Sequence, residues 1–415
     1  SQLQTQTSDL ASLLKNSAVA ARVAPAMMGA DGPRSYLLAF QTNAEARGTG
    51  GLLGGFGVLR FDNGKPTVDT LAPNTELFGA TAQVDLGPEY QQLYGWANPF
   101  TDFRNSNLSA HFPNAAQIWK SMWERQANTR IDGVIGIDPI ALSYILGAIG
   151  PVTIPDGEVV TQDNVVELTE STAYIRFPTD QPARKRYLQD IASAVVQKMT
   201  KSVESPRKLL DALGQATSQR RIMVWSAVPA DQKILEETPL AHTIPEDAGP
   251  YANVILKNLG GNKMDYYLER EIEYAADGCT GDMRNSTITV KLTNTAGADS
   301  KLPAYVAGFG GLATDVQATL KEMNAPNGTM FTSVRVIATP GAKLMNVTSN
   351  GQRAFASSKV ERGHPIFEIQ VVIPPGQSGE LVFQMSEPTS PGTPRVPVQP
   401  LIDNVTPAVS VPTCS

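Results

Sequence analysis

The stretch Ile131–Val152, IDGVIGIDPIALSYILGAIGPV, decides the fold class. Gly133–Ile137 is a short apolar run between two aspartates, the pattern of a buried strand. Asp138-Pro139 then places an N-cap acceptor before a proline at the first helical position, where the missing N–H has no partner to lose. Ile140, Ala141, Tyr144, Ile145 and Ala148 repeat at helical spacing, and Gly150-Pro151 ends the helix. A buried strand running straight into an amphipathic helix is the repeating unit of an α/β (α+β) layered domain.

Working outward, strands are predicted at Tyr36–Phe40 and Phe56–Phe61, and helices from Pro113 to Gln126 and from Ala183 to Met199. Trp119 and Trp123 stand one turn apart and read as core. These elements assign residues 35–225 to the layered domain. Residues 1–34 read as a helical lead-in, with Leu10, Leu13 and Leu14 at helical spacing, and lead to the expectation of a signal or membrane anchor upstream. Residues 226–261, with Pro229, Pro239, Pro245 and Pro250, read as a connector. Over residues 262–386 the period changes to two. Tyr266–Tyr274, Ser286–Thr293, Phe331–Ile337, Phe367–Ile373 and Glu380–Met385 alternate between turn signals, which predicts an antiparallel, Ig-like β-sandwich. Residues 387–415 are proline-rich and read as an extended tail with almost no core.

A chain of 415 residues carries two or three domains, and its 41% hydrophobic content is enough for real cores. The net charge of −6 leaves no nucleic-acid footprint. No apolar run reaches transmembrane length. The two cysteines, Cys279 and Cys414, read as one disulfide that pins the tail, since a zinc site wants about four ligands in close pairs. Two unpaired buried thiols are the alternative.

The common catalytic signatures are missing: there is no Gly-x-Ser-x-Gly elbow, no Walker lysine and no His-Glu-x-x-His. Of the histidines His111, His242 and His364, only His111 could serve a nucleophile in the layered domain, and it reads as a loop or capping side chain. The densest run is Gln41–Leu59, QTNAEARGTGGLLGGFGVL, where six glycines surround a single cation, Arg47. Glycine lets backbone approach backbone or a ligand closely.

Two resemblances follow from these residues. Phe40–Leu52, FQTNAEARGTGGL, and Ser106–Ala116 resemble the hallmark runs of an uncharacterised, envelope-facing actinobacterial family. More distantly, Ile131–Val152 and Leu168–Leu188, LTESTAYIRFPTDQPARKRYL, resemble segments of the LytR-CpsA-Psr cell-wall ligases, over roughly residues 35–200. Those ligases move a glycopolymer from a polyprenyl pyrophosphate onto the wall; arginines hold the pyrophosphate and carboxylates hold magnesium. The resemblance implies a candidate anion site of Arg47, Arg176 and Arg184, with Glu45 and Asn43 beside the first. The family's Pro-Arg-Asp-Thr falls on Ala72-Pro73-Asn74-Thr75, so an arginine and an aspartate are replaced by Asn74 alone. Each lost group of this kind removes several kcal/mol of transition-state stabilisation.

The residues also support plainer readings. Arg47 and Glu45 pair locally to brace a glycine-rich hairpin, Arg176 is a strand-end surface charge, and Arg184, Lys185 and Arg186 form a solvated helix start. The expected function is an exported, anchored, cell-surface protein that uses a ligase-like domain as a binding or assembly module, without catalysis and without a cofactor. Its partner would be a wall glycopolymer, a polyprenyl-phosphate lipid or other envelope proteins. The alternatives are an active phosphotransferase using magnesium, and a structural surface-assembly protein.

Overall fold

A computed structural model describes residues 22–200, 205–312 and 314–414; Leu10, Leu13 and Leu14 of the lead-in lie outside these. Strands β1 (Arg34–Arg47), β2 (Gly50–Asp62), β3 (Lys65–Pro73), β4 (Gly133–Ile137) and, after a small hairpin of β5 (Val152–Thr153) and β6 (Val159–Val160), β7 (Ile222–Ser226) build the first unit. Its five-stranded sheet has the order β3-β2-β1-β4-β7, with β1 parallel to β4 and the other pairs antiparallel. Successive side chains on a strand point to opposite faces. Thus Leu38 and Ile137 pack against the helices Pro139–Ile149 and Gln181–Thr200, while Leu37, Ala39 and Val134 pack against Phe112–Ala127. The result is three layers, as the alternation predicts. Asp138 accepts a hydrogen bond from Ala141 N at 2.9 Å and caps its helix, and Trp119 is fully buried in the core.

The glycine-rich run is more regular than its composition suggests. It forms the long end of the β1–β2 hairpin, which passes beyond β4 after register shifts at Phe40/Gln41 and Thr42/Ala46. The tip enters the second unit, where Ala46 belongs to that unit's core. Gly48 and Gly51 make the approach feasible: a Cβ on either would sit well inside contact distance of Leu108 O or Thr42 O. The run Ser106–Ala116 clamps the tip, since Asn107 Nδ2 donates to Thr49 Oγ1 and Gly51 O, each at 2.8 Å. Gly48→Ala should therefore cost about 2–3 kcal/mol or more, because both colliding groups are backbone. Equilibrium urea unfolding checks this; a loss below about 0.5 kcal/mol would mean the hairpin is loosely seated.

In the second unit, β8 (Ala252–Asn258), β9 (Leu268–Ala276), β10 (Met283–Asn294), β11 (Met330–Ala338), β12 (Lys343–Ser349), β13 (Gln352–Arg353), β14 (Ser357–Glu361), β15 (His364–Ile373), β16 (Ser378–Pro388) and β17 (Ala408–Ser410) form two sheets. Their orders are β13-β12-β16-β10-β9-β17 and β14-β15-β11-β8. One apolar core lies between them, with Tyr274, Ile288 and Phe383 from the first and Leu256, Val334 and Phe367 from the second.

Two assignments need correction. The segment 226–261, read as a connector, holds a helix, Pro229–Leu235, and the strand β8, whose seven residues are all buried and pair with β11. The segment 387–415, read as a tail without core, is a strap lying across both units. Its first residues finish β16, its β17 pairs with β9, and Gln399 and Leu401 are buried. Composition hid this because the strap is held mainly by polar groups, to which apolar periodicity is blind. Gln399 Nε2 donates to Arg47 O at 2.6 Å and to Leu256 O at 2.8 Å, Asn43 Nδ2 donates to Pro400 O at 2.8 Å, and Asp403 pairs with Arg270 at 2.6 Å. The Cys279–Cys414 disulfide closes its end.

Candidate functional site

The sheet's β2–β3 edge, the helix Gln181–Thr200 and the N-terminus of Pro139–Ile149 enclose a cavity of about 310 Å3. Gly261, Lys263 and Tyr305 of the second unit also line it. Phe40, Leu52, Phe56, Leu71, Leu188 and Ile191 supply an apolar wall. Arg184, Lys185, Lys263 and Arg104 supply cations. The Arg184 guanidinium lies 4.0 Å over the Tyr305 ring, and Lys263 Nζ lies 5.0 Å from the centre of the Tyr174 ring.

The candidate anion residues do not converge as expected. Arg47 is buried, but its guanidinium is used internally: it donates to Glu45 Oε1 and Arg104 O at 2.9 Å each, and to Ala46 O. It is the hairpin brace of the plainer reading. Asn43 turns to the strap. Arg176 is removed from the site altogether. It lies on a helical turn, Ala173–Arg176, and not at a strand end, and it pairs with Glu158 through two bonds of 2.9 and 3.0 Å on the surface. Arg184 and Glu45 alone of the five line the cavity.

Sequence reading missed Lys263, Lys185, Glu170 and Tyr305. Lys263 binds Glu45 Oε2 from 218 positions away, a pairing no local pattern reveals. Lys185 was visible only as part of a charged triplet. The helix phase sorts that triplet: Arg184 is buried, Lys185 is half-buried, and Arg186 faces solvent. Lys185 Nζ donates to Asn74 Oδ1 at 2.6 Å, so a lysine stands directly beside this asparagine in the cavity.

The electrostatics favour an anion. Burial alone would raise the Glu45 carboxyl, but Lys263 and Arg47 outweigh it and hold Glu45 below the usual range. Burial lowers Lys185 to about 8, helped by the charges of Lys263 and Arg184. Burial raises Glu170 to about 7, against hydrogen bonds to its Oε2 from Ala44 N at 2.7 Å and Thr42 Oγ1 at 2.8 Å. Glu170 sits on a π-helical turn, Leu168–Thr172, a local unwinding often found at functional sites. Arg184, Lys185, Lys263 and Arg104 thus share the cavity with the ionised Glu45, with Asp138, which is paired to Arg221, and with Glu170, which is largely neutral below its midpoint.

The donor set does not fit magnesium. Both oxygens of Glu45 are taken by cations, and Asp138 is bound to Arg221 at 3.0 Å. Among the described residues no group of three or more His, Cys, Asp or Glu side chains is arranged to hold a metal ion. His111 is structural: its Nδ1 accepts from Ile244 N at 3.1 Å, and burial lowers it to about 3.

A family model described as "Protein of unknown function (DUF4012)" matches residues 31–174, a span that includes Phe40–Leu52 and Ser106–Ala116. No curated protein matches the chain. Among solved structures, gbs0355 of Streptococcus agalactiae is 13% identical over 52% of this chain and 76% of its own, with a TM-score of 0.30. Bacillus subtilis TagU is 8% identical over 48% and 80%, with a TM-score of 0.27. The B. subtilis protein described as the transcriptional regulator yvhJ is 13% identical over 52% and 84%, with a TM-score of 0.26.

Proposed function

We propose that this chain is a cell-envelope protein whose first unit holds a polyprenyl-linked phosphate, the carrier end of a wall glycopolymer, without transferring it. The carrying observation is the combination in one cavity of an apolar wall with the cations Arg184, Lys185 and Lys263. An isoprenoid chain would lie along Phe40, Leu52, Leu188 and Ile191, and its phosphate would meet Arg184 and Lys185. Three things support the reading: the ligase-like sequence pattern, the cationic excess, and a disulfide of the kind that persists in oxidising compartments. No described helix is long and apolar enough to cross a membrane, so anchoring would rest on a segment outside the described residues.

Transfer chemistry is set aside because Glu45 and Asp138 are already paired with cations and Glu170 is held by Ala44 N and Thr42 Oγ1. Incubation with magnesium, a lipid-linked glycopolymer and a wall acceptor should yield no linked product; measured transfer would restore the phosphotransferase reading.

Binding should weaken as pH rises. Below about pH 7 Glu170 is largely protonated and does not repel a phosphate; above it the carboxylate charge develops. Lys185 then loses its proton through about 8. Both changes remove net positive charge, and above about pH 7 the phosphate's own second ionisation, at about 6, is nearly complete, so affinity for a polyprenyl phosphate should fall from about pH 7 to about pH 9, by tenfold or more if each contributes about 0.7 kcal/mol. Glu170→Gln should flatten the lower part of that profile. Affinity that is flat or rises with pH would remove the phosphate from this cluster.

A further inference from the structure

A second cleft, of about 840 Å3, opens on the other side of the Asp138–Arg221 ion pair, between the end of the helix Pro206–Ser218 and the C-terminal strap. Its charged groups are nearly all neutralised within the protein. Arg221 pairs with Asp138, Arg395 with Asp247, Asp403 with Arg270 and Glu237 with Arg22. Glu236 is exposed at the rim and accepts from Gln232. Arg220 is the exception. Its guanidinium lines the cleft, its Nε is buried, and it meets no hydrogen-bond acceptor among the described residues. Arg220 as a whole is partly exposed, so its outer nitrogens face the cleft while the buried Nε–H goes without an acceptor, which is costly unless a ligand completes the group.

The backbone adds an independent sign. Arg220 holds φ at +60° just past the helix end, a place where glycine or asparagine is favoured. A long side chain is kept there against the local conformational preference, and such strain concentrates at binding sites.

We propose that this cleft binds an anionic saccharide, with Arg220 taking its carboxylate or phosphate. A planar fork of donors matches a two-oxygen anion. The hydroxyl of Thr243 and the Nδ2 of Asn404, whose Oδ1 accepts from Arg221, suit the neutral hydroxyls of a sugar, and the faces of Pro239 and Pro397 suit its ring. The site does not depend on the lipid cavity, since none of these residues lines it.

The test uses the whole chain, titrated calorimetrically with an oligogalacturonate, a sulfate-free neutral oligosaccharide of the same length, an oligoglutamate peptide and inorganic phosphate. The oligogalacturonate should bind wild type, and Arg220→Gln should weaken it at least tenfold. Inorganic phosphate should compete with it, which distinguishes neither anion but places both at one point. Arg220→Gly should lose binding to the same extent while melting at a higher temperature than wild type, because glycine relieves the left-handed backbone. Polyprenyl phosphate binding should be unchanged in both variants. Equal oligogalacturonate affinity in wild type and Arg220→Gln, or no binding to wild type, overturns the site. Preference for the peptide or the neutral sugar overturns the ligand class. A lower melting temperature in Arg220→Gly would show that the guanidinium holds the fold.

Discussion

Arg221→Ala should destabilise the protein by about 3–5 kcal/mol, among the largest effects of any single substitution. The Arg221–Asp138 pair is almost fully enclosed, with 3% and 1% of the two side chains exposed. Arg221 also donates to Leu401 O and, at 2.9 Å, to Asn404 Oδ1, so one guanidinium ties the first sheet to the strap. Removing it leaves the Asp138 carboxylate buried without its counter-ion. Burial already raises that carboxyl above its ordinary range, with Arg221 pulling it back. The variant should therefore take up a proton at Asp138, and its deficit should shrink at acidic pH. Urea unfolding of wild type and variant at neutral and acidic pH checks both the size and the sign. A loss under about 1 kcal/mol at neutral pH would mean water reaches the pair.

Loss of the Cys279–Cys414 bond should cost about 5 kcal/mol in the chain-entropy account, because the bridge spans a sequence separation of 135 residues. The double substitution Cys279→Ser with Cys414→Ser avoids thiol exchange. It should lower the unfolding midpoint and free the chain end, while Gln399, Asp403 and their partners keep the middle of the strap seated. Limited proteolysis then should cut the freed end first. An unchanged midpoint would mean the polar anchors alone hold the strap, leaving the bridge little to do.

The fold was legible wherever apolar periodicity carried it. Asp138-Pro139 marked a helix start that the structure reproduces atom for atom in its cap, and the alternating runs after residue 262 marked the strands that share one core. What escaped was held by polar pairing across distance. The strap's anchors lie more than a hundred positions from their partners, β8 pairs with a strand some seventy to ninety positions on, and the β1–β2 tip is clamped by Asn107 from more than fifty positions away.

The site was legible to the same limited extent. Arg184 was found through a resemblance, and Glu45 through its neighbour Arg47, whose guanidinium serves the hairpin. Arg176 was misplaced because a charged helix end and a phosphate clamp look alike in one dimension. Lys263 and Tyr305 could not be found, since the second unit supplies them only after the chain has folded back. The runs Phe40–Leu52 and Ser106–Ala116 touch each other through Asn107, which packs the glycine-rich hairpin.

The central claim is that one cavity takes both a phosphate and an isoprenoid chain, and it is tested most directly by equilibrium binding of a short-chain isoprenyl phosphate near pH 6.5. Farnesyl phosphate should bind at least tenfold more tightly than farnesol or inorganic phosphate, and Arg184→Ala should cost it about 1.5–3 kcal/mol. Equal affinity for farnesol and farnesyl phosphate, or for wild type and Arg184→Ala, would contradict the account.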